Sequence, residues 1–414
     1  MNRNRSDVGL RLMIDDWSSR SNYSTVTIPI EGITHIENRV VRLCDLHPSE
    51  DIMNLKSGWF GMMVVATAFA MNGDAAVYAK VVTVATPAGG QAMAAKVDGK
   101  GTIHFVFDTK DGPHYCTSTD SGKTLGKPVS LVDRGSRKPG LEFITWDMAV
   151  DSKGGVHVVL GTNAWKLKLP KEEWGYMYVR KPAGAAAFEP VKNVNKRPSE
   201  GFSIAVADNG LVAAVWMADK LFANISKDGG ATFGPTIEIG SGVNPCNCCT
   251  TSTTVAADGR LAILYREETN NERDMYLAMW DFEKNEATKS RISATPWKID
   301  SCPMTYYTVA RNEKGLVAAW PTKGEIYFAQ LNADGTSKNP KEIKTPGASG
   351  MRSGVLALPA NNGSTLVAWK KDDQLGWQLY DERGQPSGLP GNAASPGKGV
   401  AAVVVKNGDV VLFR

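Results

Sequence analysis

Residues 204–216, IAVADNGLVAAVW, place two apolar runs around a polar turn built from Asp208, Asn209 and Gly210. Glycine takes a positive φ at such a turn without steric cost, so the two runs read as neighbouring antiparallel strands. The phrase returns as MAAKVDGKGTIHFVF from Met93, MAVDSKGGVHVVL from Met148, TTVAADGRLAILY from Thr253, YTVARNEKGLVAAW from Tyr307, VLALPANNGSTLVAW from Val355 and AAVVVKNGDVVLF from Ala401. Its turn glycines, Gly101, Gly155, Gly210, Gly259, Gly315, Gly363 and Gly408, recur at roughly 50 residues, a period of propeller blades rather than of helical solenoids. Six copies lead into a third strand: PHYCTS, WGYMYVRK, LFANIS, DMYLAMW, EIYFAQL and GWQLYD. No long amphipathic helix interrupts the series, so the chain is expected to be all-β, a β-propeller of four-stranded antiparallel blades. Seven repeats give seven blades, or six if the final pair completes the first blade. The last copy stops at Arg414 after two strands, and residues 79–89, AKVVTVATPAG, are expected to supply the strand that closes the ring.

The bulk numbers agree with that architecture. At 414 residues the chain exceeds the usual single core, a size that a ring of repeats accommodates without a larger one. A formal charge of +4 with scattered lysines leaves no footprint for nucleic acid, which is excluded as a partner. Residues 53–79 break the pattern: Lys56 precedes an uncharged apolar run from Trp59 to Met71, and Val77-Tyr78-Ala79 ends the segment in the small-x-small form that signal peptidase reads. The run is shorter than the roughly 20 residues that span a bilayer. Residues 53–79 therefore read as a secretory signal peptide. Residues 1–52 read as a non-native or disordered extension without a sustained period, and residues 80–414 as the propeller. After cleavage no integral membrane span is expected, and the protein is expected in the periplasm or outside the cell, where disulfides persist. Cys44 then drops out, leaving Cys116, Cys246, Cys248, Cys249 and Cys302.

Two turns after third strands carry a tighter signature. SKDGGATF, residues 226–233, fits S-x-D-x-G-x-T-F throughout, and STDSGKTL, residues 118–125, fits it except for Leu125 at the aromatic position. An Asp accepts backbone N–H groups across such a turn, the Gly takes a conformation other residues avoid, and the last residue packs between sheets. This is the Asp-box, and the chain resembles the sialidase-like, BNR-repeat β-propeller superfamily over essentially the whole of residues 80–414. The resemblance implies that the boxes are structural and lie opposite the ligand face.

It also implies which loops face a ligand: those leading into first strands and those joining second to third strands. The former carry Trp146, Asp147 and Met148; Glu200 and Phe202; Cys246, Cys248 and Cys249; Cys302, Met304 and Tyr306; and Met351 and Arg352. The loop YREETNNERDMY adds Arg266, Glu267, Glu268, Arg273 and Asp274. For an enzyme, the resemblance implies a glycoside hydrolase of sialidase type, acting on a carboxylated sugar. Its parts would be Arg266, Arg273 and Arg352 on the carboxylate, Tyr306 or Tyr307 as nucleophile, Glu267 as its partner and Asp147 as acid/base. No F-R-I-P-like segment precedes the first box, and Arg266 and Arg273 have a structural alternative as ion-pair partners of Glu267 and Asp274. The competing expectation is a binding protein for a small ligand, glycan or metal ion. Cys246, Cys248, Cys249, Cys302 and Met304 would form a sulfur-rich site, taking Cu(I) or another soft metal as cofactor. A disulfide from Cys302 to one of the clustered cysteines, stapling blade four to blade five, is the structural alternative. Cys116, on a third strand, reads as an isolated core residue.

Overall fold

The computed structural model describes Gly9–Met13, Thr25–Pro29 and residues 79–414 except 134, 136, 137, 241, 313, 340, 361 and 362. The first two segments, β1 (Gly9–Met13) and β2 (Thr25–Pro29), pair as an antiparallel hairpin within a unit of its own, residues 1–74. That hairpin is strand structure in a stretch where the sequence shows no sustained period. The signal-peptide segment, apart from Ala79, lies outside the described residues.

The second unit opens with β3 (Val81–Val84) and then repeats one antiparallel sheet. Blade 1 is β4 (Gln91–Val97), β5 (Ile103–Thr109), β6 (Gly112–Ser118) and β7 (Val129–Ser130); blade 2 is β8 (Phe143–Val150), β9 (Val156–Thr162), β10 (Met177–Lys181) and β11 (Lys192–Asn193). Blade 3 is β12 (Glu200–Val206), β13 (Val212–Met217), β14 (Leu221–Ser226) and β15 (Thr236–Glu238); blade 4 is β16 (Ser252–Val255), β17 (Leu261–Arg266), β18 (Met275–Asp281) and β19 (Glu286–Arg291). Blade 5 is β20 (Thr308–Asn312), β21 (Gly315–Thr322), β22 (Glu325–Leu331) and β23 (Ile343–Ala348); blade 6 is β24 (Val355–Pro359), β25 (Thr365–Lys371), β26 (Gln374–Tyr380) and β27 (Pro386–Ala394). Blade 7 is β28 (Ala401–Val404) and β29 (Val410–Phe413), completed by β3, which pairs Val81–Val84 in parallel with Val410–Phe413. The protein is a seven-bladed β-propeller, and the strand expected to close the ring does so.

The middle strands are apolar throughout because each face meets a different blade. Successive side chains of a strand point to opposite faces. In β17, Leu261, Ile263 and Tyr265 enter the core shared with blade 3, whereas Ala262 and Leu264 enter the core shared with blade 5. In β25, Val367 and Trp369 face blade 5 while Leu366 and Ala368 face blade 7. Seven such cores close the circle, the last joining Phe105 and Phe107 of blade 1 to Val411 and Phe413 of blade 7.

Polar side chains latch the inner strands in register. Asp147 Oδ2 accepts the Ile204 N–H at 3.0 Å, Ser252 Oγ accepts that of Val309 at 3.0 Å, and Thr308 Oγ1 accepts that of Ala357 at 2.7 Å. Each bond runs from one blade to the next. On the first-to-second strand turns, His104 is held by Tyr115 Oη at 2.8 Å with Asp98 3.4 Å away, and His157 by Tyr178 Oη at 2.7 Å with Asp151 3.5 Å away. The two sets repeat in blades 1 and 2. The turn of blade 2 departs from the expected pattern: Gly154 takes the positive φ of 89°, while Gly155 packs tightly against the Asp151 carboxylate.

The Asp-boxes have the local bonds their sequence implies. Asp228 Oδ1 accepts the Ser226 hydroxyl at 2.7 Å and the Thr232 N–H at 2.9 Å, and Oδ2 accepts the Thr232 hydroxyl at 2.6 Å. Asp120 repeats all three bonds with Ser118 and Thr124. Gly230, at φ 81°, sits against Tyr178 where any Cβ would collide. Phe233 packs edge-on to Tyr178 at 5.1 Å, so this turn seals the contact between blades 2 and 3.

Candidate functional site: an axial channel and a sulfur cluster

The inner strands surround an axial cavity of about 710 Å³, walled by β4, β8, β16, β20, β24 and β28. Trp146 of β8 and Phe202 of β12 reach it, as do Tyr306, Arg352 and Lys398 from the segments that lead into β20, β24 and β28. Trp146 meets Phe202 edge-on at 5.1 Å and Tyr306 at 6.2 Å, forming a three-ring wall. Arg352 is exposed, and among the described residues no hydrogen bond or ion pair engages its side chain. Its backbone is fixed in the left-handed region at φ 56°, with its N–H bonded to Met304 O at 2.8 Å. Burial raises the Glu200 carboxyl, while the positive charge of Arg352 opposes that rise. Burial also raises the Tyr306 phenol, again opposed by Arg352.

The sequence offered seven residues for six hydrolase roles, and the structure brings four, Asp147, Tyr306, Tyr307 and Arg352, to this cavity, with the buried Tyr307 hydroxyl held by the Arg266 N–H and the Thr250 carbonyl. Asp147 has both oxygens occupied by backbone N–H groups, of Met148 and Ile204, and burial holds its carboxyl above the usual range. The three arginines do not converge. Arg266 is fully buried, giving its Nε to Thr305 Oγ1 at 3.2 Å and its Nη2 to Pro321 O at 2.6 Å, with Trp297 4.7 Å from its guanidinium. Arg273 points to Cys246 Sγ, 3.0 Å from its Nη1, and to Ile299 O. Glu267 is buried against Tyr265 Oη at 2.7 Å and Lys289 at 2.7 Å, and Asp274 pairs with Arg291 at 2.9 Å. The ion pairs expected for these acids therefore exist with other partners, since Lys289 and Arg291 stand on β19 beside them. The acid standing with Tyr306 and Arg352 is Glu200, not Glu267.

The cysteines gather between blades 4 and 5. Cys248 and Cys302 form a disulfide, with 6.2 Å between Cα atoms, which staples these blades. Cys246 and Cys249 are buried free thiols, and the sulfurs of Cys246, Cys248 and Cys249 all lie within 4.8 Å of one another. Cys246 Sγ is 3.5 Å from Cys248 Sγ and 3.6 Å from Cys249 Sγ. A tight turn, with the Cys249 N–H bonded to Cys246 O at 3.0 Å, folds the two free thiols together. They are three residues apart, a C-x-x-C spacing that is the sequence signal for this turn. The bond between the two buried sulfurs, and after it the charges of Arg266 and Arg273, favour a single thiolate shared by Cys246 and Cys249. With the disulfide formed, two cysteines remain for a soft ion. Met304, at φ 44°, turns its carbonyl to the Arg352 N–H at 2.8 Å and is not among the residues that gather with the clustered cysteines. Cys116 is a buried free thiol in the core between blades 7 and 1, raised to about 11 by burial.

No protein-family model matches the sequence, and no curated protein matches it as a relative. Solved structures superpose on it at low identity. An ulvan lyase of a new polysaccharide lyase family, bound to -[GlcA(1-4)Rha3S]-, superposes with a TM-score of 0.49 at 11% identity, over 76% of this chain and 86% of that one. An α-L-arabinanase of Penicillium chrysogenum, complexed with arabinobiose, gives 0.46 at 12% identity over 71% and 94%. A lectin in complex with α-methyl fucoside gives 0.42 at 13% over 74% and 97%. Among the described residues no helix is long and apolar enough to cross a membrane.

Proposed function

We propose that this is an exported ligand-binding β-propeller that takes a small carboxylated ligand, such as an acidic sugar, in the mouth of its axial channel. The observation that carries the reading is the unpaired guanidinium of Arg352 beside the wall of Trp146, Phe202 and Tyr306. Aromatic faces bind the apolar face of a sugar ring, and a planar guanidinium binds a carboxylate through two parallel charge-assisted bonds. The charge of Glu200 acts against that of Arg352 and so limits the net positive charge at the mouth.

Binding is favoured over hydrolysis because the reacting groups are poorly prepared. A nucleophilic tyrosine needs its phenol pKa lowered, whereas burial raises that of Tyr306. A sialidase-type clamp needs convergent arginines, and Arg266 and Arg273 are engaged elsewhere. Calorimetric titration with uronate and sialic-acid oligosaccharides tests the reading. Arg352→Ala and Trp146→Ala should each abolish binding; Arg352→Ala leaves thermal stability at the parental value because its side chain is exposed, whereas Trp146→Ala also lowers it because Trp146 packs on the core between blades 2 and 3. Binding that survives both substitutions, or no acidic sugar bound at all, removes the proposal.

A further inference from the structure

We propose that Cys246, Cys249 and the Cys248–Cys302 disulfide form a thiol–disulfide exchange centre, in which Cys246 attacks Cys248 and releases Cys302 at the ligand face. The nucleophile and the bond it cleaves are already in contact, with Cys246 Sγ 3.5 Å from Cys248 Sγ. Cys249 Sγ, 3.6 Å from Cys246 on its other side, donates its S–H to Cys246 and so favours the thiolate on the attacking sulfur. The surroundings supply positive charge, and the carboxylate that also acts on Arg266, that of Asp274, is engaged by Arg291 at 2.9 Å. Arg266 is fully buried and its side-chain donors go to neutral oxygens of Thr305, Arg273 and Pro321, while Arg273 Nη1 lies 3.0 Å from Cys246 Sγ. A buried cation without an anion is costly, and a thiolate shared by Cys246 and Cys249 is the anion this nest accommodates.

The exchange balances within the protein. With the proton of the pair on Cys249, a bond forms between the Cys246 thiolate and the sulfur of Cys248, and the bond from Cys248 to Cys302 breaks. The electron pair leaves on Cys302, which takes a proton from water, so no oxidant or reductant is consumed. The result is to move a disulfide that spans 54 residues between two blades into a local one within blade 4. Cys302 and Cys248 are half-buried whereas Cys246 and Cys249 are buried, so Cys302 is the sulfur that meets outside reagents. Cys302 also heads the segment that carries Tyr306 and the Met304 carbonyl bonded to the Arg352 N–H. Exchange thereby frees one wall of the channel mouth, giving the site a redox-isomer control independent of which ligand binds there.

The test uses the full chain after chelator treatment, which removes any soft ion from the thiols. Oxidised glutathione is added, free thiols are alkylated under acid quench, and linkages are mapped by tandem mass spectrometry. The expected products are both Cys248–Cys302 and Cys246–Cys248 linkages, with glutathione on Cys302. Cys246→Ser should retain only the Cys248–Cys302 linkage and slow glutathione capture at Cys302 by about tenfold or more, as expected when an intramolecular thiol is lost. Wild-type protein that shows a single linkage and no glutathione on Cys302 overturns the proposal without reliance on any variant. Equal capture at Cys302 in folded Cys246→Ser and wild type overturns it equally.

Discussion

Asp228 shows how much a single residue settles here, and also what it leaves alone. Its carboxylate holds three donors across one turn, first among them Thr232, and they keep its pKa well below the carboxylate norm. Asp228→Ala should cost about 1 to 3 kcal/mol as those donors lose their acceptor, with ligand binding intact. Thermal unfolding alongside calorimetry checks both halves. The buried histidines make a second prediction at this scale. Burial lowers the pKa of His104 and of His157 below the ordinary 6.5, with Asp98 and Asp151 partly opposing. The unfolded chain therefore binds these protons first as pH falls, so the stability tied to neutral imidazoles is full above about pH 7 and drains away below about 6.5. His157→Gln lacks its share, so its deficit in melting temperature relative to wild type should shrink as pH is lowered through that range. A deficit constant with pH removes the linkage. Both features are local, with partners two to twenty-one residues away, which is why their residues were legible in the sequence.

At the scale of the element, the blade is read from alternation and the ring from its seam. Strands with two apolar faces need two neighbours, and that requirement follows from a pattern such as LAILYR in β17 before any coordinates exist. The seam is more demanding. β3 brings Val81 into the core between blades 6 and 7 and Val84 into that between blades 7 and 1, and it covers the edge of β29. Deleting residues 79–85 should therefore cost at least about 2 kcal/mol from the two valines alone and leave an exposed strand edge that drives self-association. Light scattering and thermal unfolding of the shortened chain measure it, and a monodisperse protein of parental stability would refute it. That residues 79–89 close the ring was inferred from the strand the last repeat lacks. That β3 runs parallel to β29 was not, because direction depends on where the chain enters the ring.

The molecule as a whole decides what the ligand face can do. Hydrolysis of a fluorogenic sialoside should be at background, because only Arg352 of the three candidate arginines lines the channel. Release at an enzymatic rate, lost in Tyr306→Phe, would replace binding with catalysis. The sequence by itself determined the all-β repeat, a ring of six or seven blades that the structure fixes at seven, the closing segment, the Asp-boxes and the meeting of blades 4 and 5 through cysteine. These are local patterns repeated along the chain or consequences of blades following one another around a circle. Only the tertiary structure decided which cysteine joins Cys302, that Arg266 is buried beside thiols rather than facing a substrate, and that Glu200 rather than Glu267 stands with Tyr306. Such choices depend on side-chain direction at the rim, where loops from different blades meet across the axis. Sequence spacing along one blade carries no information about distances between blades.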